Sequence, residues 1–212
     1  MTASRFAIGS AVVVALATGL STSAIAQDTT ADNNFINIGT YTIGFPIGDT
    51  HSYIPQVSWL GTGWEGQWRY KSTMAKGISV GLHDFTDLSH GTTHFPSAAV
   101  TGSQVREILM MTVMGTGRWY MGNTFGRGFY LGLGAGAEID QQYYQVGVSQ
   151  DVTRSGFHIA IAPDVGYIMP FMEGVDLVIN ARFMAPAPAG SYLGGGSRSY
   201  QFVALSFGMA ER

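Results

Sequence analysis

Short stretches in which apolar and polar residues alternate recur along the chain from about residue 35. In residues 128–140, GFYLGLGAGAEID, one row is apolar, while the other is mostly glycine and includes Glu138 and Asp140. A period of two predicts a β-strand with two unlike faces. Eight such strands are predicted, at residues 35–45, 58–70, 77–88, 105–121, 128–140, 155–169, 175–185 and 199–209.

The predicted connections alternate between short and long. The short ones are residues 72–75, 122–127 and 171–174; the long ones, rich in Gly, Pro, Ser and Thr, are residues 46–57, 89–104, 141–154 and 186–198. Most predicted strands are close in length to the ~9–11 residues that a tilted strand needs to cross a bilayer. The pattern predicts an all-β fold, an eight-stranded antiparallel up-and-down transmembrane β-barrel with its short turns in the periplasm.

The charges indicate which row faces lipid. The central apolar rows carry no charge, whereas the opposite rows carry Gly, Ser, Thr and charges of both signs. Those rows contain much glycine, and the lysines, Lys71 and Lys76, lie near a turn. Aromatic residues near the ends of the apolar rows are typical of interfacial girdles, and a narrow barrel interior needs small side chains. A soluble lipocalin-like barrel, with its apolar rows inward, is the alternative; the facing of the first strand stays open.

The amino-acid composition further restricts the class of protein and the kinds of partner. Charged residues make up 12% of the chain, against about 25% in a typical soluble domain. The net charge is −3 and there is no basic cluster, which argues against nucleic acid as a partner. Without Cys, no disulfide staples the fold. Residues 1–26 have the basic start, short apolar core and AIA site of a signal peptide, which leaves residues 27–212 as one barrel domain.

The stretches FYLGLGAG (129–136), IAIAPDVGYIMPFMEGVDLVINARF (159–183) and YQFVALSFGM (200–209) carry a family resemblance. Through them the chain resembles the small outer-membrane β-barrel superfamily, in particular OmpA-like and opacity-porin-like barrel domains. The resemblance implies location in the cell outer membrane of a Gram-negative bacterium. Such barrels usually end on an aromatic residue that the barrel-insertion machinery reads, whereas here Phe207 is followed by GMAER.

Charged residues in the inward rows form the candidate site. The predicted ion-pair network of the lumen consists of Glu65, Arg69, His83, Arg106, Arg118, Glu138, Asp164 and Arg182. Hairpin register places Glu65 across from the region of His83, and Asp164 across from the region of Arg182. Because an unpaired buried charge is costly, these groups are expected to pair in the narrow lumen. A gate that admits small ions is the functional alternative to a purely structural role.

Three other motifs do not support a metal site, a dinucleotide site or a hydrolase. The segment HDFTDLSHGTTH holds His83, His90 and His94, but a loop does not align an i, i+4 histidine pair for a metal. The dinucleotide-like GLGAGA is not followed by a helical pattern. His51 with Ser52, and His94 with Ser97, lack an acidic partner for a hydrolase. No catalytic residue, metal or cofactor is therefore assigned, and the protein is not expected to be an enzyme.

The sequence thus predicts a structural, surface-exposed outer-membrane barrel with a narrow, salt-bridged lumen. Its expected partners are outer-membrane lipid and lipopolysaccharide, the insertion machinery during biogenesis, and a surface ligand contacted by the loops. A porin-like channel for small solutes or hydrophobic molecules and a lipid-A-modifying barrel enzyme are the alternatives.

Overall fold

The computed structural model describes residues 34–95, 98–122, 124–146, 150–187 and 199–212. The predicted signal peptide, residues 1–26, lies outside the described residues and stays a prediction. The strands are β1 (Phe35–Pro46), β2 (Ser58–Lys71), β3 (Met74–Phe95), β4 (Ala98–Tyr120), β5 (Gly128–Val146), β6 (Gln150–Met172), β7 (Val175–Pro186) and β8 (Phe202–Glu211), with one short helix, α1 (Gly48–Tyr53), between β1 and β2.

The eight strands form a closed barrel in sequence order, and every neighbouring pair is antiparallel. The ring closes where β1 pairs with β8, for example Tyr41 opposite Phe207. Closure gives every strand two hydrogen-bonded neighbours, so the barrel wall has no free strand edge. The predicted fold class is confirmed.

Four strands are longer than predicted. The predicted long loops at residues 89–104 and 141–154 are largely strand, because β3 pairs with β4 as far as Phe95 opposite Ala98, and β5 pairs with β6 as far as Val146 opposite Gln150. The prediction of loops there was wrong for a physical reason. Beyond the barrel wall neither face of a strand needs a continuous apolar row, so the alternation fades while backbone pairing continues.

The outer surface of the barrel wall carries the apolar rows. Ile159 on β6 is 69% exposed and Leu133 on β5 is 55% exposed, whereas Asp164 on β6 and Glu65 on β2 are buried. The exposed large side chains that surround the wall are here called the apolar belt; they include Trp68, Trp119, Leu131, Leu133, Phe157, Ile159, Ile161, Val165, Tyr167, Ile179, Phe207 and Met209. The inside-out facing predicted from the charges is what the structure shows.

The first strand, whose facing the sequence left open, turns Ile36, Ile38 and Thr42 toward the lumen and exposes Phe35, Tyr41 and Phe45.

Among the described residues, no helix is long and apolar enough to cross a membrane.

The lumen also contains large apolar side chains, at both of its ends. The end near the long connections, here called the loop end, holds a buried cluster, the loop-end plug: Tyr53, Ile54, Phe85, Ile108, Met110, Met114, Ala160, Ala162, Met184, Tyr200, Phe202 and Ala204. The end near the short turns, the turn end, holds the turn-end plug: Ile36, Ile38, Ala75, Tyr120, Phe125, Tyr130, Ile168, Val178 and Ala210. Each plug is built mainly from inward positions of the strands.

Candidate functional site

Four charged side chains meet between the two plugs and are here called the ionic cluster: Glu65, Arg118, Asp164 and Arg182. Arg118 Nη2 lies 2.7 Å from Glu65 Oε2 and 3.0 Å from Asp164 Oδ2. Arg182 Nη2 lies 3.1 Å from Glu65 Oε2 and 3.6 Å from Asp164 Oδ2. Two cations and two anions therefore share one centre, with no net charge.

Strand register explains how distant parts of the chain meet there. Asp164 and Arg182 are cross-strand partners on β6 and β7. Gly132 on β5 lies opposite Asp164 on one side and opposite Arg118 of β4 on the other, so Arg118 and Asp164 are separated only by a glycine. Gly132 is needed for this approach, because a Cβ atom added there would lie 1.9 Å from Asp164 Oδ1. The glycine row in β5 thus leaves the space in which the charges pair.

Neutral polar groups donate further hydrogen bonds to Glu65 Oε1 and Asp164 Oδ2, whereas Asp164 Oδ1 has no hydrogen-bond partner among the described residues. Thr116 and Gln67 each donate to Glu65 Oε1 at 3.0 Å. Asn180 donates to Asp164 Oδ2 at 3.0 Å, and the Arg118 guanidinium lies 4.2 Å from the centre of the Tyr130 ring. Bridging, hydrogen-bonded charges of this kind offset the cost of burial that a single charge would incur.

Two predicted members of the network lie apart from this cluster. Arg69 is exposed near the turn end, and its guanidinium lies 5.1 Å from the centre of the Phe125 ring. His83 is buried, but it is opposite Gly61 rather than Glu65, and its ring packs against Phe202 at 4.7 Å. The predicted pairing of Glu65 with the region of His83 is not made, because the register of β2 and β3 sets Ser79 opposite Glu65.

Arg106 and Glu138 also lie outside the ionic cluster. Arg106 is at the loop end, where it donates to the backbone oxygen of Tyr53 at 3.1 Å and to Gln104 Oε1 at 3.3 Å. Glu138 is 0% exposed, and neither of its carboxyl oxygens has a hydrogen-bond partner among the described residues. Arg106 and Glu138 are separated from the ionic cluster along the barrel axis. The alternation of inward and outward positions in the sequence does not reveal that separation.

Some polar groups of the lumen were missing from the predicted site. His158 Nε2 lies 2.8 Å from Asp140 Oδ1, and Gln142 donates to Asp140 Oδ2 at 3.0 Å. At the turn end, Arg212 Nε donates to Asp176 Oδ2 at 2.8 Å. All but Arg212 lie at inward positions of their strands, so the alternation carried a signal that could have found them.

The histidines of the segment 83–94 do not converge within the part of that segment whose side chains are described. His83 and His90 are seven residues apart on β3, an odd spacing that puts them on opposite faces. His83 accordingly faces the lumen and His90 is exposed. The described residues contain no group of three or more metal-ligating side chains placed to hold an ion.

The loop end of the lumen is covered by the segment between β1 and β2. Ile54 is fully buried in the loop-end plug, and Tyr53 beside it is nearly so. Polar contacts hold the segment in place: Arg106 bonds Tyr53, Thr50 donates to the backbone oxygen of Ser199, and Gln56 donates to Asp87 Oδ1 at 3.0 Å. Burial raises the pKa of the Tyr53 phenol to about 12, so the side chain stays neutral at physiological pH.

The turn end is covered by the connection between β4 and β5. Phe125 in this turn is buried against Tyr120, with ring centres 5.8 Å apart. Arg212 donates to the backbone oxygens of Phe125 and Gly126 at 3.3 and 2.6 Å, while it also pairs with Asp176.

A cavity of about 50 Å³ lies between the two plugs, beside the ionic cluster, and has room for a few water molecules.

Comparison with known proteins gives structural likeness only. No family model matches the chain, and no curated protein matches it. Among solved structures, the chain is similar to the attachment invasion locus protein Ail of Yersinia pestis in complex with the heparin analogue sucrose octasulfate, at 9% identity over 84% of this chain and 95% of that one, with a TM-score of 0.49.

Two further structures are similar over 84% of this chain. Neisserial surface protein A is 11% identical, with 96% of its chain covered and a TM-score of 0.46. The N-terminal β-barrel domain of OprF from Pseudomonas aeruginosa is 12% identical, with 97% covered and a TM-score of 0.42. The architecture of the present chain is established by its own strand pairing and needs no support from these similarities.

Proposed function

We propose that the chain is an integral β-barrel protein of a Gram-negative outer membrane, with a closed, salt-bridged lumen and a surface-exposed, non-enzymatic role. One observation carries the proposal: a closed barrel exposes its large apolar side chains around the wall and buries its charges inside. In water this arrangement would leave a large apolar surface unprotected, whereas in a bilayer it matches the solvent. Strand closure satisfies the backbone groups that lipid cannot.

The lumen supports a structural role rather than conduction. An ion entering from the loop end would first meet Tyr53, Ile54 and Phe202, and one entering from the turn end would meet Phe125 and Tyr120. Between them, the ionic cluster has no net charge with which to attract ions of one sign. We infer that the charges rigidify the wall.

The strands that rise above the barrel wall support a role in surface contacts. Strand β2 accompanies β3 only as far as Asp84, whereas β3 continues to Phe95 in its pairing with β4. Residues 85–95 correspond to about 35 Å of strand at ~3.3 Å per residue. Strands β4, β5 and β6 extend on the same side, so four strands present an extended sheet beyond the belt to a partner at the cell surface.

The proposal is tested by membrane fractionation and single-channel recording of the full chain. We expect recovery in the outer-membrane fraction, heat-dependent gel migration after detergent extraction, and no discrete conductance in planar bilayers. Double replacement of Ile54 and Phe125 by Ala should introduce conductance if the plugs seal the lumen. Discrete openings by the unaltered protein would favour the channel alternative, and recovery in the soluble fraction would refute the membrane location.

A further inference from the structure

The only two lysines of the 212-residue sequence lie together at the turn end of the apolar belt. Lys71 ends β2 and Lys76 is near the start of β3, and both are exposed. Their ammonium groups lie 5.6 and 6.0 Å from the centre of the same ring, that of Tyr70. Two cations are thus held on one side of the barrel around a single exposed aromatic residue.

These lysines differ from three of the arginines. Arg118, Arg182 and Arg212 each lie within 4.0 Å of a carboxylate. Among the described residues, no carboxylate lies that close to Lys71 or Lys76. Their charges are therefore available to a partner from outside the chain, near the turn end of the belt.

The surface next to Lys76 is suited to a hydrocarbon chain. Lys76 lies opposite Trp68 on β2 and opposite Gly117 on β4. The space above Gly117 is open, since an added Cβ would have no atom within 4 Å, and Trp68 is exposed. An open glycine position and an exposed aromatic ring thus lie on either side of Lys76.

We propose that Lys71, Lys76 and Tyr70 bind the headgroup phosphate of an anionic phospholipid in the leaflet at the turn end, with an acyl chain lying over Gly117. The inference rests on the proposed membrane location. Lysine ammonium groups at the edge of a membrane span attract anionic lipid, and an aromatic ring holds such cations at the headgroup level. Two ammonium groups beside one open position favour a lipid that carries net negative charge over a zwitterionic one.

Tryptophan quenching by brominated lipids tests the site. The full chain, with Trp59→Phe and Trp64→Phe so that Trp68 and Trp119 report, is refolded into phosphatidylcholine vesicles that contain brominated phosphatidylglycerol or brominated phosphatidylcholine. We expect the anionic lipid to be preferred about three-fold or more at the reporters, and the preference to fall close to one with Lys71→Gln/Lys76→Gln. Tyr70→Leu should weaken it while both charges remain.

The matched control compares two single losses of positive charge at the same end. Lys76→Gln should reduce the preference, whereas Arg127→Gln, which removes an exposed cation that pairs with Asp176, should not. Millimolar inorganic phosphate should fail to displace the lipid; displacement would overturn the lipid assignment. Equal quenching by both lipids refutes the headgroup site in an inserted barrel, and absence of quenching by either refutes the membrane location as well.

Discussion

On strand β6, Ile161 and Asp164 lie three residues apart on opposite faces of the barrel wall. Ile161 is 54% exposed, and Asp164 is buried in contact with two arginines. In a soluble protein the isoleucine would lie in the core and the aspartate at the surface. The comparison shows that alternating apolar and polar residues define the two faces of a strand, whereas the medium around the barrel determines which face points inward.

The two faces also differ in how closely their atoms are packed. Outward positions border a fluid medium, so a change of size there meets little resistance. Inward positions border the plugs and the ionic cluster, where side chains and backbone are in contact and polar groups need specific partners. Substitutions that are similar in chemistry should therefore have different effects on the two faces.

The largest effect is expected from loss of an inward charge. Glu65→Ala removes the carboxylate that contacts both arginines and leaves Asp164 alone to balance them. We expect the free energy of unfolding to fall by about 3–5 kcal/mol, because a broken buried ion pair leaves an uncompensated charge. Urea unfolding in lipid vesicles, followed by tryptophan fluorescence, gives the value.

The double variant Glu65→Ala/Arg182→Met provides the control for charge balance. It removes one anion and one cation, so part of the lost stability should return. A fall of under about 1 kcal/mol for Glu65→Ala alone would show that the ionic cluster does not stabilise the wall.

An intermediate effect is expected when a charge is placed on the outward face. Leu133→Arg puts a cation in the apolar belt and should cost about 2–4 kcal/mol if that position lies near the middle of a bilayer. Leu88→Arg is the matched control, because Leu88 is 70% exposed on the part of β3 that rises beyond β2. Equal costs for the two substitutions in vesicle unfolding experiments would contradict the placement of the membrane around the belt.

The smallest effect on the free energy of unfolding is expected from adding a single methyl group, which can be compared on the two faces of the wall. Gly136→Ala places a Cβ 2.1 Å from the backbone oxygen of Val113 on the inward side, so the strands must shift. We expect a loss of roughly 1–3 kcal/mol, as for overpacking in a core. Gly117→Ala adds its methyl to open space on the outward side and should change stability by less than about 0.5 kcal/mol. The same unfolding assay ranks the two, and the reverse order would invert the assignment of the faces.

Prediction from sequence was strongest where the alternation was regular. The facing of β5 and β7 followed directly from rows such as Leu131 and Leu133 on one side and Asn180 and Arg182 on the other. Prediction was weakest where large apolar residues shared the inward row with charges. Ile108, Met110 and Met114 occupy inward positions of β4, yet their role in closing the lumen depends on side chains from other strands and from the segment around Ile54.

The candidate site shows the same division. Asp164 and Arg182 are joined by a hairpin with a short turn, so their register could be estimated along the chain. Arg118 reaches the same centre across β5. Glu65, which precedes Arg118 by 53 residues in the sequence, reaches it from the opposite part of the wall. Arg69 shares the inward row with Glu65 but lies nearer the turn end, because each residue along a strand moves its side chain along the barrel.

The sequence by itself determined the number of strands, their antiparallel order and which row of each central strand avoids charge. These properties are local, since each depends on alternation and turn residues within one hairpin. Only the tertiary structure decided which charges meet, where the lumen is closed and how far the strands rise beyond the wall. Those properties depend on closure of the ring, which sets the distances between side chains on strands that are far apart along the chain.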